Sequence, residues 1–512
     1  MKRLYGATRN EMNTEQLIQP SHNQEVEYQL RRWLPLAVGA VVAVAAGYWV
    51  GNNDWMPLYK SLAVFIVVFV AFSLQERGWI IIPMVWLAYG KIGLLPVPFT
   101  WHDVGILLAV AAYIAHRCMV KTAPVPMGRL LDWLIALNVL WVAIAWMRNP
   151  TGFLVLRSEY VGARVYVDMT LAAMAAWVMI RLPKSPRQIM RLPYYMLIGP
   201  LIGVVLSLIV WVIPSMYGAL QRIYGQIDVS LLMGMEMSRF GALVPFGSVL
   251  VLIAVTYYPL SHLLNPFRWS PYLILIGFVA ILAGGYRSVL LGAIMSALMA
   301  IWLRGGRKMV LIATLGFSLA LGVVLMGQGR LYSLPLSWQR ALSFLPAQWS
   351  EVALRDAQGT AGWRFELWQK MLRYGFVENW WMGDCISLRL AEMGVVTELG
   401  RFDFNQIAEF TLAYHNGPLC SIKMTGLIGL ALLYILMIAT LVQGYDCVRK
   451  SRGTILFPVA VFVTSGVAWH LFCFTIVYGG YTNDMVTAMF NAALVRLVKR
   501  MLEERPAELA PA

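Results

Sequence analysis

Five ionisable side chains sit at the edges of long apolar runs, where placing charge beside hydrocarbon is costly: Arg157, Arg164, Arg287, His415 and Asp484. His415 ends a polar stretch and opens an apolar one, in Tyr414-His415-Asn416-Gly417-Pro418. Its imidazole titrates near neutral pH, so it could act as a general base. A structural histidine bonded to a backbone carbonyl would fit the same position. The apolar run begins firmly only at Met424. Nine residues of straight helix span about 13 Å, which would stand His415 above the hydrocarbon, within reach of a water-soluble reactant.

The arginines suggest anion chemistry. Arg287 is isolated in Gly284-Gly285-Tyr286-Arg287-Ser288, where two glycines point to a tight turn or a close backbone approach. A guanidinium there could hold phosphate oxygens in pairs, or simply snorkel from a helix end. Arg157 and Arg164 lie seven residues apart, two helical turns, and would share a face in a helix. That pair suits a diphosphate; ordinary loop charges paired with Glu159 or Asp168 are the simpler account. Asp484 could orient a histidine, balance an arginine, or cap a helix with Asn483. Lys423, just inside the run after His415, could reach the interface or hold a phosphate.

The elements that must position these groups are membrane spans. Hydrophobic residues make up 59% of the chain and charged residues 13%, far from a soluble composition. Fourteen apolar stretches are candidates: 33–50, 57–74, 79–95, 103–120, 130–147, 165–182, 193–213, 241–258, 270–286, 288–303, 309–327, 419–442, 454–476 and 483–498. The net charge of +15 is spread over short loops beside these stretches, which argues for topology and against nucleic acid. With the N-terminus cytoplasmic, Arg31, Arg77, Arg117, Arg191, Arg268, Arg304, Arg449 and Lys499 fall on one face. The alternation expects both termini in the cytoplasm and all five ionisable groups on the outer face.

The expected organisation is a cytoplasmic segment 1–32, a bundle over 33–327 with outer loops 148–164 and 214–240, a large outer loop 328–414, C-terminal spans over 415–498 and a cytoplasmic tail 499–512. The N-terminal segment lacks the short apolar core and cleavage site of a signal peptide. Loops as long as the third are usually functional or disordered. In it, Phe365, Trp368 and Leu372 recur at helical spacing within 362–372, which predicts an amphipathic helix lying on the membrane or capping a cavity. The five cysteines show no metal-ligand spacing, so neither a metal site nor a disulfide is expected.

The stretch His415-Asn416, nine residues, Gly426, two residues, Gly429 resembles the signature of bacterial O-antigen ligases, and lies where that family carries it, at the return of a long loop to the membrane. Tyr286-Arg287-Ser288 is similar to a short arginine motif of the wider superfamily, which includes O-antigen polymerases and protein O-oligosaccharyltransferases. The run from Gly362 through Arg364 and Trp368 to Trp381-Met382-Gly383 is similar to its loop pattern, and the Arg157/Arg164 pair resembles, more loosely, paired arginines of an earlier loop. The turn after Trp381 departs from the family, reading Met-Gly-Asp-Cys where a glycine-rich form is usual. Members carry about twelve spans, and the shortest candidates here fall below the ~20 apolar residues a crossing requires.

The resemblance implies an all-α bundle of the GT-C type in a bacterial inner membrane. It implies a donor glycan on undecaprenyl diphosphate, an acceptor on lipid A–core or on another glycan, and no cofactor or metal. Taken with the chemistry of these residues, it makes His415 the expected base, with Arg287, Arg157 and Arg164 around the diphosphate and Asp484 as a group that could orient the imidazole. Asn416, Gly426, Gly429, Arg364 and Trp368 would complete the motifs. A lipid-linked glycan transporter is the competing class; it would be expected to place charge along a mid-membrane path rather than on one face.

Overall fold

A computed structural model describes residues 33, 40, 43–44, 55–88, 90–92, 99–120, 129–152, 160–182, 184–224, 240–373, 377–386, 388–389 and 414–504. Most of the N-terminal segment, the span expected over 33–50, Arg157, much of the loop over 214–240 and the end of the tail lie outside the described residues. The chain divides into two compact units, Met1–Val70 and Ala71–Ala512. In the first unit, α1 (Trp55–Leu74) begins; it runs on into the second.

The described part of the second unit is almost entirely helical. After a 3-10 turn over Gln75–Ile80 come α2 (Ile81–Val85), α3 (Trp101–Met119) and α4 (Leu130–Arg148), then α5 (Ala163–Arg181), α6 (Pro186–Met190), α7 (Leu192–Val212) and α8 (Tyr217–Ile223). The chain continues through α9 (Leu243–Tyr257), α10 (Leu260–Leu263), α11 (Ser270–Gly284), α12 (Arg287–Gly327), α13 (Leu336–Leu342) and α14 (Glu351–Arg373). It closes with α15 (Gly417–Lys450), α16 (Phe457–Phe472), which a π-turn extends to Val477, and α17 (Tyr481–Glu504). A two-residue strand, β1 (Tyr160–Val161), pairs antiparallel with β2 (Leu388–Arg389).

Among the described residues, seven helices are long and apolar enough to cross a membrane, and α9 and α11 are shorter apolar helices. The stretch expected over 79–95 stops being helical after Val85. The expected stretches 288–303 and 309–327 are the two halves of α12, divided at Gly306, whose φ of 71° and ψ of −167° only glycine adopts without strain. The second half returns along α11, where Phe317 meets Phe278 at 5.7 Å.

Starts and packing follow local chemistry. Thr100 and Asp103 close a capping box at the head of α3, and Ser185 and Gln188 do so at α6. Water exclusion does not drive helices together in lipid, so close backbone approach must. α9 and α11 touch in this way: a Cβ on Gly247 would lie 2.5 Å from the carbonyl oxygen of Gly277. That contact fixes the middle of α11, whose last residue, Gly284, leads through Gly285 to Arg287 at the first turn of α12. α17 packs along α5 and α15, and its Ala488, Ala492 and Ala493 are buried.

Candidate functional site around His415

α15 is broken, and the break explains the spacing of the motif. Gly426 has φ 73° and ψ −176°, outside the helical region and open only to glycine. The two halves are not collinear. The ring of Phe474 lies where a Cβ on Gly417 would fall (2.3 Å) and also meets the ring of Tyr434 at 5.4 Å. In a straight helix those two residues would be about 25 Å apart. The short first half therefore folds beside the second, and the straight helix that a His415 stand-off of about 13 Å requires does not form.

Breaking a helix leaves backbone groups that must find partners. Here the turn over 380–385 supplies them. Leu427 and Ile428 donate their N–H groups to Trp380 and Trp381 carbonyls (2.8 and 3.3 Å). The carbonyls of Lys423 and Met424 accept from the N–H groups of Asp384 and Cys385 (2.7 and 3.2 Å), and that of Thr425 accepts from the Trp141 indole at 2.9 Å. A Cβ on Gly426 would lie 2.1 Å from the Trp381 carbonyl oxygen. Gly426 is thus a breaking point that admits the loop, whereas Gly429 leaves room for Thr425 and Trp141. Lys423 pairs with Asp384 at 3.1 Å, and Asp384 also accepts from the N–H groups of Glu378 and Asn379. The Met-Gly-Asp-Cys departure is therefore the tie between loop and helix. Arg148 adds bonds to the Met382 and Gly383 carbonyls at 3.0 and 3.2 Å.

His415 sits immediately before this broken helix, with a φ of 54° that is rare outside glycine. Asn416 caps the helix by accepting from the N–H of Leu419 at 3.0 Å. The imidazole is half-buried between Trp363 (5.4 Å, edge-on) and Tyr478 (5.0 Å, tilted). Trp368 donates its indole N–H to the carbonyl of Tyr414 at 2.7 Å. Arg364 lies over the ring of Tyr478, its guanidinium 5.7 Å from the ring centre. Among the described residues the buried Nε of Arg364 has no hydrogen-bond partner, nor has either ring nitrogen of His415. Burial, and secondly the Arg364 cation, hold the His415 imidazole below its ordinary 6.5, so it is neutral at neutral pH.

The helix expected over 362–372 is the C-terminal half of α14. Leu367 and Met371 are buried, while Phe365 and Leu372 are exposed. α14 also reaches the head of α12. Arg287 donates from Nε to the Arg340 carbonyl (3.1 Å), and its guanidinium stands 3.6 Å from Asp356, which Arg340 also engages at 2.7 Å. Asp356 and Arg364 are two helical turns, roughly 12 Å, apart on α14, so one helix bridges the Arg287 and His415 sites.

Two expected partnerships are replaced. Asp484 does not hold His415: its carboxylate accepts from His470 Nε2 at 2.9 Å and from the Gly480 N–H at 2.7 Å. His470 Nδ1 is 3.3 Å from the Asn491 amide, which makes a polar chain across α16 and α17. Arg164 begins α5 and is clamped by Asp103 (2.6 Å) and Asp168 (2.8 Å), so two carboxylates already balance it. Its expected companion Arg157 lies outside the described residues.

Sequence reasoning missed His470, Asp384, Asp356 and Tyr478. A lone histidine in Val467-Ala468-Trp469-His470-Leu471 carried the same signal as Asp484, an ionisable group in an apolar run that needs a partner. Among the described residues no group of three or more His, Cys, Asp or Glu is placed to hold a metal ion. No protein-family model and no curated protein sequence matches the chain.

Proposed function

We propose that this chain is a membrane glycosyltransferase that moves a glycan from a polyprenyl diphosphate to an acceptor hydroxyl, with ligation onto lipid A–core as its reaction. The observation that supports it most is the His415 site: a neutral, half-buried imidazole with open ring nitrogens, beside a cation whose buried donor is unmet. That is the equipment for taking a proton from a hydroxyl while holding a phosphate.

His415 removes the acceptor proton as the oxygen forms its bond to the anomeric carbon. The bond from that carbon to the diphosphate oxygen breaks on the opposite face, and the diphosphate leaves with the electron pair, inverting the centre. Arg364 stabilises the charge that builds on the leaving group. Arg287, reached through α14, is the second cation of the donor side. Arg164, held by two carboxylates, serves the packing of α3 against α5.

Reconstituted protein given lipid-linked glycan and separated acceptors tests the reading by gel. Transfer to lipid A–core supports ligation. A ladder of lengthening glycans would make it a polymerase, and no product with any glycan or protein acceptor would overturn the transferase reading.

A further inference from the structure

At the end of the bundle remote from His415, α4 and α5 diverge to leave a groove of about 410 Å³. Its walls are small and aliphatic: Ala136, Val139, Leu140 and Ala143 on α4, Ala173 and Ala176 on α5. Asp132 and Arg181 line one end. The two differ in what they offer a ligand. Asp132 is paired with the buried Arg496 at 3.4 Å. Arg181 has no carboxylate partner among the described residues; its guanidinium stacks on Trp177 at 5.0 Å from the ring centre. At the neighbouring helix ends the other arginines are already balanced: Arg129 pairs with Glu503, and Arg500 pairs with Glu504 at 2.7 Å while donating to the Ile180 carbonyl.

The groove runs from Asp132 to Ala143 on one wall, eleven residues of helix or about 16 Å, and from Arg181 to Ala173 on the other, about 12 Å. The hydrocarbon core of a bilayer is about 30 Å thick, so this is the depth of one leaflet. We propose that the groove is a binding site for an anionic phospholipid: one acyl chain lies along the alanines, and the headgroup phosphate rests on Arg181. A lipid with net negative charge matches the uncompensated cation; a zwitterionic one brings its own ammonium to the same place. The site is independent of the glycan chemistry, on the opposite end of α4 and α5 from Arg148 and Arg164.

Native mass spectrometry of the full-length protein in detergent, titrated with phosphatidylglycerol, phosphatidylcholine or a polyprenyl phosphate, tests this. Phosphatidylglycerol is expected to bind the wild type about fivefold tighter than phosphatidylcholine, the contribution of one arginine near a membrane surface. Arg181→Gln should bring that ratio close to one, and Arg181→Lys should keep most of it. Ala143→Trp, at an exposed groove position, should displace both phospholipids without changing the melting temperature of lipid-free protein. Equal binding of the two phospholipids by the wild type, or a ratio unchanged in Arg181→Gln, would overturn the proposal. So would polyprenyl phosphate outcompeting phosphatidylglycerol in a manner that Ala143→Trp abolishes.

Discussion

The indole N–H of Trp368 donates to the carbonyl of Tyr414 at 2.7 Å, so a helix of the long loop grips the backbone one residue before His415. The gripped backbone then takes a left-handed turn at His415 and enters a helix that breaks nine residues after its start. The imidazole is placed by loop and bundle together.

Trp368→Phe keeps the ring and removes that hydrogen bond. A hydrogen bond of this kind contributes about 1 kcal/mol net. If it holds His415 in its working conformer, transfer should fall by up to about fivefold with little change in donor binding. Glycan transfer at saturating donor, beside a binding isotherm for the donor, measures both; an unchanged rate would remove Trp368 from the positioning of His415.

Gly426→Ala should be among the most damaging small substitutions in the bundle. The backbone conformation costs a non-glycine residue about 1–3 kcal/mol, and the new methyl would overlap the Trp381 carbonyl. A lowered melting temperature and a 380–385 turn opened to proteolysis are expected. Gly316→Ala is the control: nothing lies within 4 Å of the added methyl, so it should melt as the wild type does.

Much of this site is legible in the residues, and the remainder is hidden for definite reasons. His415 at a polar-to-apolar boundary, with glycines at a fixed distance, marks a special helix start. A glycine in an apolar run usually signals close helix packing, so nothing local tells that Gly426 breaks the helix while Gly429 packs. The partner of Asp484 is on another helix, and Asp103 is far in sequence from the Arg164 it neutralises; pairings of that kind depend on which spans become neighbours. Lys423 illustrates the same limit: its neighbour Asp384 belongs to a turn with no periodic pattern. The amphipathic stretch over 362–372 marked its helix, but Phe365 and Leu372 are as apolar as Leu367 and Met371, so the pattern alone does not tell which of them pack against the rest of the protein.

The pH dependence of transfer carries the electrostatic part of the account. Burial and the Arg364 cation lower the His415 value below 6.5, so the base form persists into mildly acidic solution. The acid limb of kcat/KM should therefore lie below pH 6.5. Arg364→Gln removes the repelling cation, so His415 should protonate at higher pH and the limb should move upward. Arg364→Lys should leave the limb near its wild-type position. A limb that stays fixed, or moves downward in Arg364→Gln, would show that His415 does not set it.

The most direct measurement is the single-turnover transfer rate of His415→Gln, reconstituted with its lipid-linked donor and acceptor. Glutamine retains a hydrogen-bonding side chain but cannot take the proton. The rate should fall by about 10²–10⁴, the usual contribution of a general base, while donor binding and the melting temperature stay at wild-type values. A His415→Gln protein that transfers glycan at the wild-type rate would contradict the assignment of His415 as the base.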